Sequence, residues 1–183
     1  ERGKAVGEGE DLYLEGFISD ITERKNLEIA NEMFSKAIEA SPVSIHITDE
    51  RGRIEYVNPF FEQLTGYQKA EIIGKNPRLL NSGFHSKVFF ENLWKTIKSG
   101  EIWHGEIRNK KKNGELYWEQ AVISPIFNNR DEITHFVAVR EDITDKKRTM
   151  TELQTAKENA EQNEKRFKAL HDASFGGILI HDK

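Results

Sequence analysis

The chain has 183 residues, a formal net charge of -4 and no cysteine. The lack of cysteine excludes disulfides, thiolate metal sites and cysteine nucleophiles, and the interleaved acidic and basic residues argue against a nucleic-acid-binding surface. No apolar run approaches the length of about 18 residues that spans a bilayer, so we expect no membrane contact in this segment and a cytoplasmic location.

Short elements come first in the central part of the chain. Residues 43–48, VSIHIT, alternate in polarity like a strand, and IEYVN at 54–58 predicts a second strand. Asn58 followed by Pro59 predicts the start of a helix that ends at Gly66, and QKAEIIG predicts another short helix. The stretch GKNPRLLNSG then resembles neither a helix nor a strand, and we predict a loop that covers a pocket.

Longer elements follow this loop. Residues 86–99, SKVFFENLWKTIKS, place their apolar residues near one face of a helix that Gly100 closes. WHGEIRNK, ELYWEQAVISPIF and ITHFVAVREDIT predict three strands, with turns at Asn113-Gly114 and at NNRDE. Two strands, several short helices and three more strands predict an α+β fold, in which helices cover one face of a five-stranded antiparallel sheet.

An internal repeat divides the chain. FISDITERK (17–25) matches VREDITDKK (139–147), and FSKAIEASPVSIHITDE (34–50) matches FKALHDASFGGILIHDK (167–183), which predicts modules in tandem. We therefore predict that residues 1–24 are the C-terminal strand and exit of one module, that residues 41–144 form a complete domain and that residues 171–183 are the first strand of a third module. Connector helices are predicted at 25–40 and 145–170, and the first residue, which is not Met, indicates a piece of a longer chain.

The second connector carries a weakly apolar helical stripe. Its members recur at spacings of three and four: Met150, Leu153, Ala156, Ala160, Asn163, Phe167 and Leu170. The stripe fits a marginal coiled coil in a homodimer or a single helix packed on its own domain. Thr22 and Thr144 are predicted to cap the two connector helices.

Strand alternation predicts which residues face the interior. Trp103, Gly105, Ile107 and Asn109 share one face of their strand, and Glu119, Ala121 and Ile123 share one face of the next. Small residues beside buried polar groups are typical of a ligand pocket. Two alternatives stay open: Asn109 bonds to backbone or water near the strand end, and Trp94 and Trp103 are ordinary core aromatics.

The motifs YVNPFFEQLTGY, EIIGKNPRLL, KKNGELYW and the terminal EDIT, taken together, resemble the PAS family of sensory modules over residues 34–144. This resemblance implies a sheet in the order 2-1-5-4-3 and a ligand pocket between sheet and helices. It also implies neighbouring PAS modules and a C-terminal output domain, such as a histidine kinase or a cyclic-dinucleotide enzyme. We predict no catalytic residue and no metal ligand in this fragment. The output domain that the resemblance implies is an enzyme.

Two groups within the family are similar to this chain. In light-sensing flavin PAS domains Pro77 is replaced by an adduct-forming cysteine, so cysteinyl photochemistry is excluded here. From PVSIHITD through ELYW the sequence more closely resembles the redox-sensing PAS domains of NifL and MmoS, which bind FAD. That resemblance implies FAD as cofactor and the sensing of redox state or oxygen.

The same resemblance implies a set of cofactor-binding residues. Asn109 matches an amide that bonds the polar edge of the flavin, and Trp94, Trp103 and Gly105 also match the pattern. The full predicted set adds Ile107, Glu119, Ala121, Ile123, His46, Phe61, Leu64, Asn76, Pro77, Arg78 and Leu80. His46 and Pro77 replace a serine and a glutamate of the nitrogen-fixation sensor, and Glu119 replaces an asparagine of the light sensors.

Some roles stay open in the sequence. Arg78 suits a cofactor phosphate or a surface pair with Glu71 or Asp49. The alternative to a flavin sensor is a PAS domain with another small ligand, or with none, that serves dimerisation and signal relay. In that case Trp118 and Val122 on the outer sheet face meet a helix or a partner.

Overall fold

A computed structural model describes residues 2–6, 13–17 and 20–178, with side chains described over 20–171. The chain divides into two compact units, 1–41 and 42–183. In the first unit, β1 (Arg2–Val6) and β2 (Tyr13–Phe17) form an antiparallel pair, and α1 (Thr22–Glu39) follows. Leu27, Met33 and Phe34 of α1 are exposed, so the described residues of this unit do not cover these apolar side chains.

The second unit is built on one antiparallel sheet. Its strands are β3 (Ser44–Asp49), β4 (Ile54–Val57), β5 (Trp103–Lys110), β6 (Leu116–Phe127) and β7 (Ile133–Asp142). They lie in the order β4-β3-β7-β6-β5, which within the unit is 2-1-5-4-3. The predicted fold class and strand order are therefore confirmed.

Short helices connect β4 to β5 and cover one face of the sheet. They are α2 (Pro59–Thr65), α3 (Lys69–Ile72), a 3₁₀ helix (Pro77–Leu80) and α4 (Lys87–Lys98). Asn58 caps α2 as predicted, because its side-chain oxygen accepts the Phe61 N–H at 3.1 Å. The 3₁₀ helix lies inside the stretch predicted as a loop, where Asn76 caps a turn that Pro77 begins.

Two apolar clusters form the core beneath the sheet. One joins β4, α2, α3 and the 3₁₀ helix and contains Ile54, Val57, Phe61, Ile72 and Leu80. The other joins α4 to β5, β6 and β7 and contains Leu93, Ile97, Ile107, Ala121, Ile123, Phe136 and Ala138. These clusters occupy the two ends of the same sheet face.

The chain leaves the sheet through α5 (Thr144–Ile178). Thr22 and Thr144 are the first residues of their helices rather than the predicted caps, and Asp20 and Asp142 accept their N–H groups at 2.8 Å. Residues 171–178, predicted to enter a strand, are helical; a helix bonds its own backbone, whereas a strand needs a neighbour. The remainder of that predicted strand, 179–183, lies outside the described residues. None of the helices in the described part of the chain has the length and hydropathy of a membrane span.

Candidate functional site

A cavity of about 770 Å³ lies between the inner face of the sheet and α4. This volume is within the range of about 300 to 1,000 Å³ that is usual for small-molecule sites. The sheet contributes His46, Thr48, Ile107, Asn109, Ile123, Phe136, Ala138 and Arg140 to its wall. The wall is therefore apolar at Ile107, Ile123, Phe136 and Ala138, and polar at His46, Thr48, Asn109 and Arg140.

α4 forms the opposite wall. Ser86 begins the helix by accepting the Phe89 N–H at 3.3 Å, and Leu93 and Ile97 anchor it in the core. This anchoring turns Trp94 toward the cavity, where its ring meets Phe136 edge-on with a centroid separation of 5.8 Å. Trp94 therefore offers an aromatic surface on the helical side of the cavity.

The 3₁₀ helix closes one side of the cavity with Asn76, Pro77 and Arg78. Asn76 holds this turn in place, because its amide donates to the Gly52 carbonyl at 2.9 Å and its side-chain oxygen accepts the Arg78 N–H at 3.0 Å. Gly52 has φ of 77°, and a Cβ there would lie 2.6 Å from the Trp94 ring. Leu80 is 1% exposed and fixes the end of the turn in the core.

A charged network lies at the polar end of the cavity. Arg140 Nη1 donates to Glu119 Oε1 at 2.5 Å, and Asn109 Nδ2 donates to the same oxygen at 2.9 Å. All three side chains are buried. Burial raises the pKa of Glu119, and the adjacent Arg140 guanidinium opposes that rise. We assign an ionised pair, since the guanidinium remains charged and the carboxylate is its buried partner.

His46 lies close to this network and is 2% exposed. Burial, with a smaller contribution from the Arg140 charge, holds the pKa of His46 well below its ordinary value. The imidazole is therefore neutral. His46 Nδ1 and Arg140 Nε have no hydrogen-bond partner among the described residues, although both side chains line the cavity. Buried polar atoms of this kind are normally bonded, so they favour a ligand with polar groups at this end.

The structure brings eight of the predicted site residues into the cavity wall. They are His46, Asn76, Pro77, Arg78, Trp94, Ile107, Asn109 and Ile123. The other seven lie outside that wall: Phe61, Leu64, Leu80, Trp103, Gly105, Glu119 and Ala121. For all fifteen, contact with a cofactor stays a prediction.

The space above Gly105 is used differently from the prediction. A Cβ at Gly105 would lie 2.5 Å from the Trp103 ring, so the indole of the same strand occupies the room that the glycine leaves. Trp103 in turn meets Phe89 of α4 edge-on at 5.7 Å. The small residue thus accommodates a core aromatic and does not enlarge the cavity.

The exposed rim of the cavity is mainly cationic. Arg78, Lys87, Lys95 and Lys98 line it together with a single carboxylate, Glu91. Both surface partners considered for Arg78 are engaged elsewhere, since Glu71 pairs with Lys112 at 2.6 Å and Asp49 pairs with Arg53 at 2.7 Å. The positive charge of the rim favours an anionic group at the opening of the cavity. The polar inner end of the cavity does not by itself call for a negatively charged ligand.

Several other residues of the cavity wall were missed in the sequence, and of these Arg140 and His85 matter most for the chemistry of the site. Arg140 shares its strand face with Phe136 and Ala138, so alternation along β7 is the signal that finds it. His85 lies in the turn before α4, and its position in the wall depends on how that turn folds over β5. Among the side chains described over 20–171, no group of three or more His, Asp or Glu residues is placed to hold a metal ion.

Comparisons with known proteins agree with this geometry. The profile of one family, described as a PAS domain, matches residues 42–145. The chain is 34% identical to the nitrogen fixation regulatory protein of Klebsiella oxytoca over 112 residues, 61% of this chain and 23% of that protein. It is 33% identical to a blue-light-activated histidine kinase of Brucella anthropi over 128 residues, 68% of this chain and 26% of that protein.

A similar fold occurs in a solved structure described as an RNA-binding light-oxygen-voltage receptor. The match has a TM-score of 0.64 and 26% sequence identity, and covers 70% of this chain and 38% of the receptor chain. The chain spans only about a quarter of the curated relatives it matches, by the shares of 23% and 26%. The similarity thus concerns the sensory part of larger signal-transduction proteins.

Proposed function

Because this chain belongs to the PAS domain family, we propose that it binds FAD in the cavity beneath its sheet and senses redox state or oxygen. The proposal places it in the cytoplasm, within a multi-domain bacterial signalling protein whose output domain is a histidine kinase or a cyclic-dinucleotide enzyme. Residues 41–144 are the sensory domain of this proposal. The connector helix 145–170 transmits the signal, and neighbouring PAS modules flank the domain.

One observation carries the proposal: two buried polar atoms that have no hydrogen-bond partner in the described part of the chain lie in residues that line a cavity of ligand size. His46 Nδ1 and Arg140 Nε provide them, and the cavity measures about 770 Å³. The polar edge of a flavin ring carries both hydrogen-bond donors and acceptors, so it matches a neutral imidazole, an amide and a guanidinium. Trp94, Ile107 and Ile123 offer the apolar surfaces that the flat ring requires.

The cationic rim supports a cofactor with phosphates. Arg78, Lys87, Lys95 and Lys98 lie where the cavity opens to solvent, and Arg78 is free of the two carboxylates considered for it. Charge-assisted hydrogen bonds to phosphate are among the strong polar contacts in proteins. We therefore favour FAD or another phosphorylated flavin over an uncharged one.

A bound flavin would supply reversible redox chemistry, which the side chains of this chain do not provide by themselves. The protein's part is to exclude water with Trp94 and Phe136, and to hold the polar edge with Asn109, His46 and Arg140. Glu119 balances the Arg140 charge from behind the wall. A change of charge at the ligand would therefore act on a buried ion pair that belongs to β6 and β7.

Purification followed by visible absorbance and mass identification of any released molecule tests this proposal. We expect a yellow protein that releases FAD, or an apo-protein that takes up FAD when titrated. Trp94→Ala should weaken binding at least tenfold, or about 1.4 kcal/mol, whereas the exposed Phe127→Ala should change it less than twofold. A folded protein that takes up no flavin contradicts the proposal.

A second candidate function is dimerisation without a cofactor. α5 leaves four apolar side chains about 70% exposed along one stripe: Met150 at 70%, Leu153 at 71%, Phe167 at 70% and Leu170 at 69%. Such a stripe is stabilised when two helices pair. Sedimentation analysis tests this candidate, which predicts a dimer that Leu153→Glu combined with Leu170→Glu converts to monomer.

A further inference from the structure

The turn before α4 covers the open edge of the sheet, and we call residues 81–86 the edge strap. β5 is the edge strand, and Arg108 offers its backbone N–H and C=O outward there. His85 Nε2 accepts the Arg108 N–H at 2.9 Å, and Ser82 Oγ donates to the Arg108 carbonyl. Asn81 adds a bridge to Asn109. The strap therefore provides hydrogen-bond partners for the backbone N–H and C=O of Arg108, which an edge strand otherwise leaves unpaired.

On the neighbouring strand β6, Trp118 is the residue that pairs in register with Arg108. Because the backbone groups of Arg108 point to the strap, this is a non-hydrogen-bonded pair, whose side chains approach most closely. The backbone groups of Trp118 point the other way, toward the start of α5. Trp118 N–H donates to Thr144 Oγ1 at 2.9 Å, and the Trp118 carbonyl accepts the Ile143 N–H at 2.9 Å.

Side-chain contacts on the outer face of the sheet also connect the strap with α5. The Phe84 ring of the strap meets Trp118 edge-on at 5.2 Å, and the Arg108 guanidinium lies 5.9 Å from the Trp118 ring. Lys147 of α5 lies 5.0 Å from the same ring and bonds Glu106 of β5 at 2.5 Å. Trp118 is thus held between the strap and the first turns of the exit helix.

His85 takes part in this series of contacts and also lines the cavity. Its ring lines the cavity wall and stacks on Phe89 of α4 with a centroid separation of 4.1 Å. A ligand that displaces the ring must therefore change the hydrogen bond from Arg108. Phe84 and His85 are adjacent in the chain and their rings meet edge-on at 5.0 Å, so the ring that covers Trp118 is in contact with the ring that lines the cavity.

We propose that the edge strap couples the cavity to α5 through Arg108 and Trp118. This inference rests on the proposed function for its natural stimulus. The contacts that form the path do not depend on that function. His85 and Phe84 are positioning residues in it. The path runs across the strands, from the cavity wall to the edge and from the edge to Ile143 and Thr144.

Site-resolved amide hydrogen exchange of the ligand-free protein tests the connection first. His85→Phe keeps an aromatic ring and removes the acceptor, so exchange should increase at least tenfold at Arg108 and at least threefold at Trp118 and Ile143. His135→Phe, a histidine on β7 away from the strap, is the matched control and should leave these three amides within twofold. Acceleration confined to Arg108 overturns the proposal.

Two additional measurements keep this test decisive. Amides of Ile47 and Val137, which lie in the distant part of the sheet, must keep wild-type rates, because global unfolding would accelerate them as well. Ser82→Ala keeps the His85 acceptor, and removes the hydrogen bond to the Arg108 carbonyl and a long one of 3.4 Å from the Phe84 N–H. It should change the same amides in the same order with a smaller amplitude. If His85→Phe does not fold, Ser82→Ala decides the question alone.

FAD provides the second arm. Binding of FAD to the unsubstituted protein should change exchange at Trp118 and Ile143, and Phe84→Ala should halve that response or more while FAD affinity stays within threefold. A full response in Phe84→Ala overturns the coupling. If FAD does not bind, the proposed function fails by itself, and the ligand-free arm still decides the coupling.

Discussion

The two ends of the sheet's inner face are built for different purposes. Beneath β4, the side chains of Ile54, Phe61 and Ile72 are each 0% exposed and do not line the cavity of about 770 Å³. Beneath β5, β6 and β7, an apolar cluster of similar composition surrounds a cavity and four buried polar residues: His46, Asn109, Glu119 and Arg140. His46 meets Phe61 edge-on at 5.8 Å, where the two ends adjoin.

This difference separates stability from sensing. The closed end gains free energy from apolar burial and from the Asn58 side chain, which bonds Ile45 N, Phe61 N and the Val43 carbonyl. The open end gives up contacts to keep a cavity and buries charges that water would solvate better. A module of this kind can tolerate an open half because its other half is closed.

The largest expected effect comes from breaking the closed end. Phe61→Ala should lower the free energy of unfolding by about 4 kcal/mol, because a fully buried ring leaves a cavity that its neighbours cannot fill. Urea denaturation followed by circular dichroism measures this loss. Phe127→Ala, at an exposed phenylalanine, is the matched control and should cost less than about 1 kcal/mol. A loss below about 1.5 kcal/mol for Phe61→Ala would contradict the distinction between the two ends.

The next effect concerns the ion pair of the open end. Arg140→Met should lower the free energy of unfolding by about 3 kcal/mol at pH 7, because Glu119 then keeps a buried charge without its partner. Adding Glu119→Gln should recover most of that loss, since no uncompensated charge remains. Urea denaturation of both variants measures the recovery. Equal stabilities of the single and double variants would show that the pair is not energetically coupled.

The smallest effect is a dependence on pH. Because burial lowers the pKa of His46 from 6.5, the folded protein excludes a proton that the unfolded chain accepts. The contribution of His46 to the free energy of unfolding is therefore fully present above about pH 6.5. Below that pH it falls by about 1.4 kcal/mol per pH unit. Burial lowers the pKa of His85 too, which acts in the same direction.

Thermal or urea unfolding between pH 7.5 and 5 follows this loss. His46→Gln should flatten the acid side of the curve relative to the unsubstituted protein, because it removes the group whose pKa burial lowers. An identical slope in His46→Gln would place the titration elsewhere.

Much of the fold was available from local pattern. The alternation in VSIHIT, the Asn58-Pro59 helix start and the apolar face of residues 86–99 each appear in the structure as predicted, because they depend on neighbours within a few residues. Alternation also placed Asn109, Ile107 and Glu119 on the buried face. It did not reveal that Trp103 fills the space above Gly105, since a rotamer choice decides that contact.

The sequence by itself determined the order of the elements, the buried sides of β5 and β6, and the absence of any cysteine for adduct chemistry, since these follow from spacing and composition. Only the tertiary structure decided that Arg140 pairs with Glu119, that His46 Nδ1 meets no hydrogen-bond partner within the described ranges, and that His85 reaches the edge of β5. The environment of the His46 nitrogen is not set by its neighbours in the sequence. The contacts of Arg140 with Glu119 and of His85 with Arg108 join residues that are 21 or more positions apart. Their existence depends on how strands and turns pack in space, which no periodicity along the chain encodes.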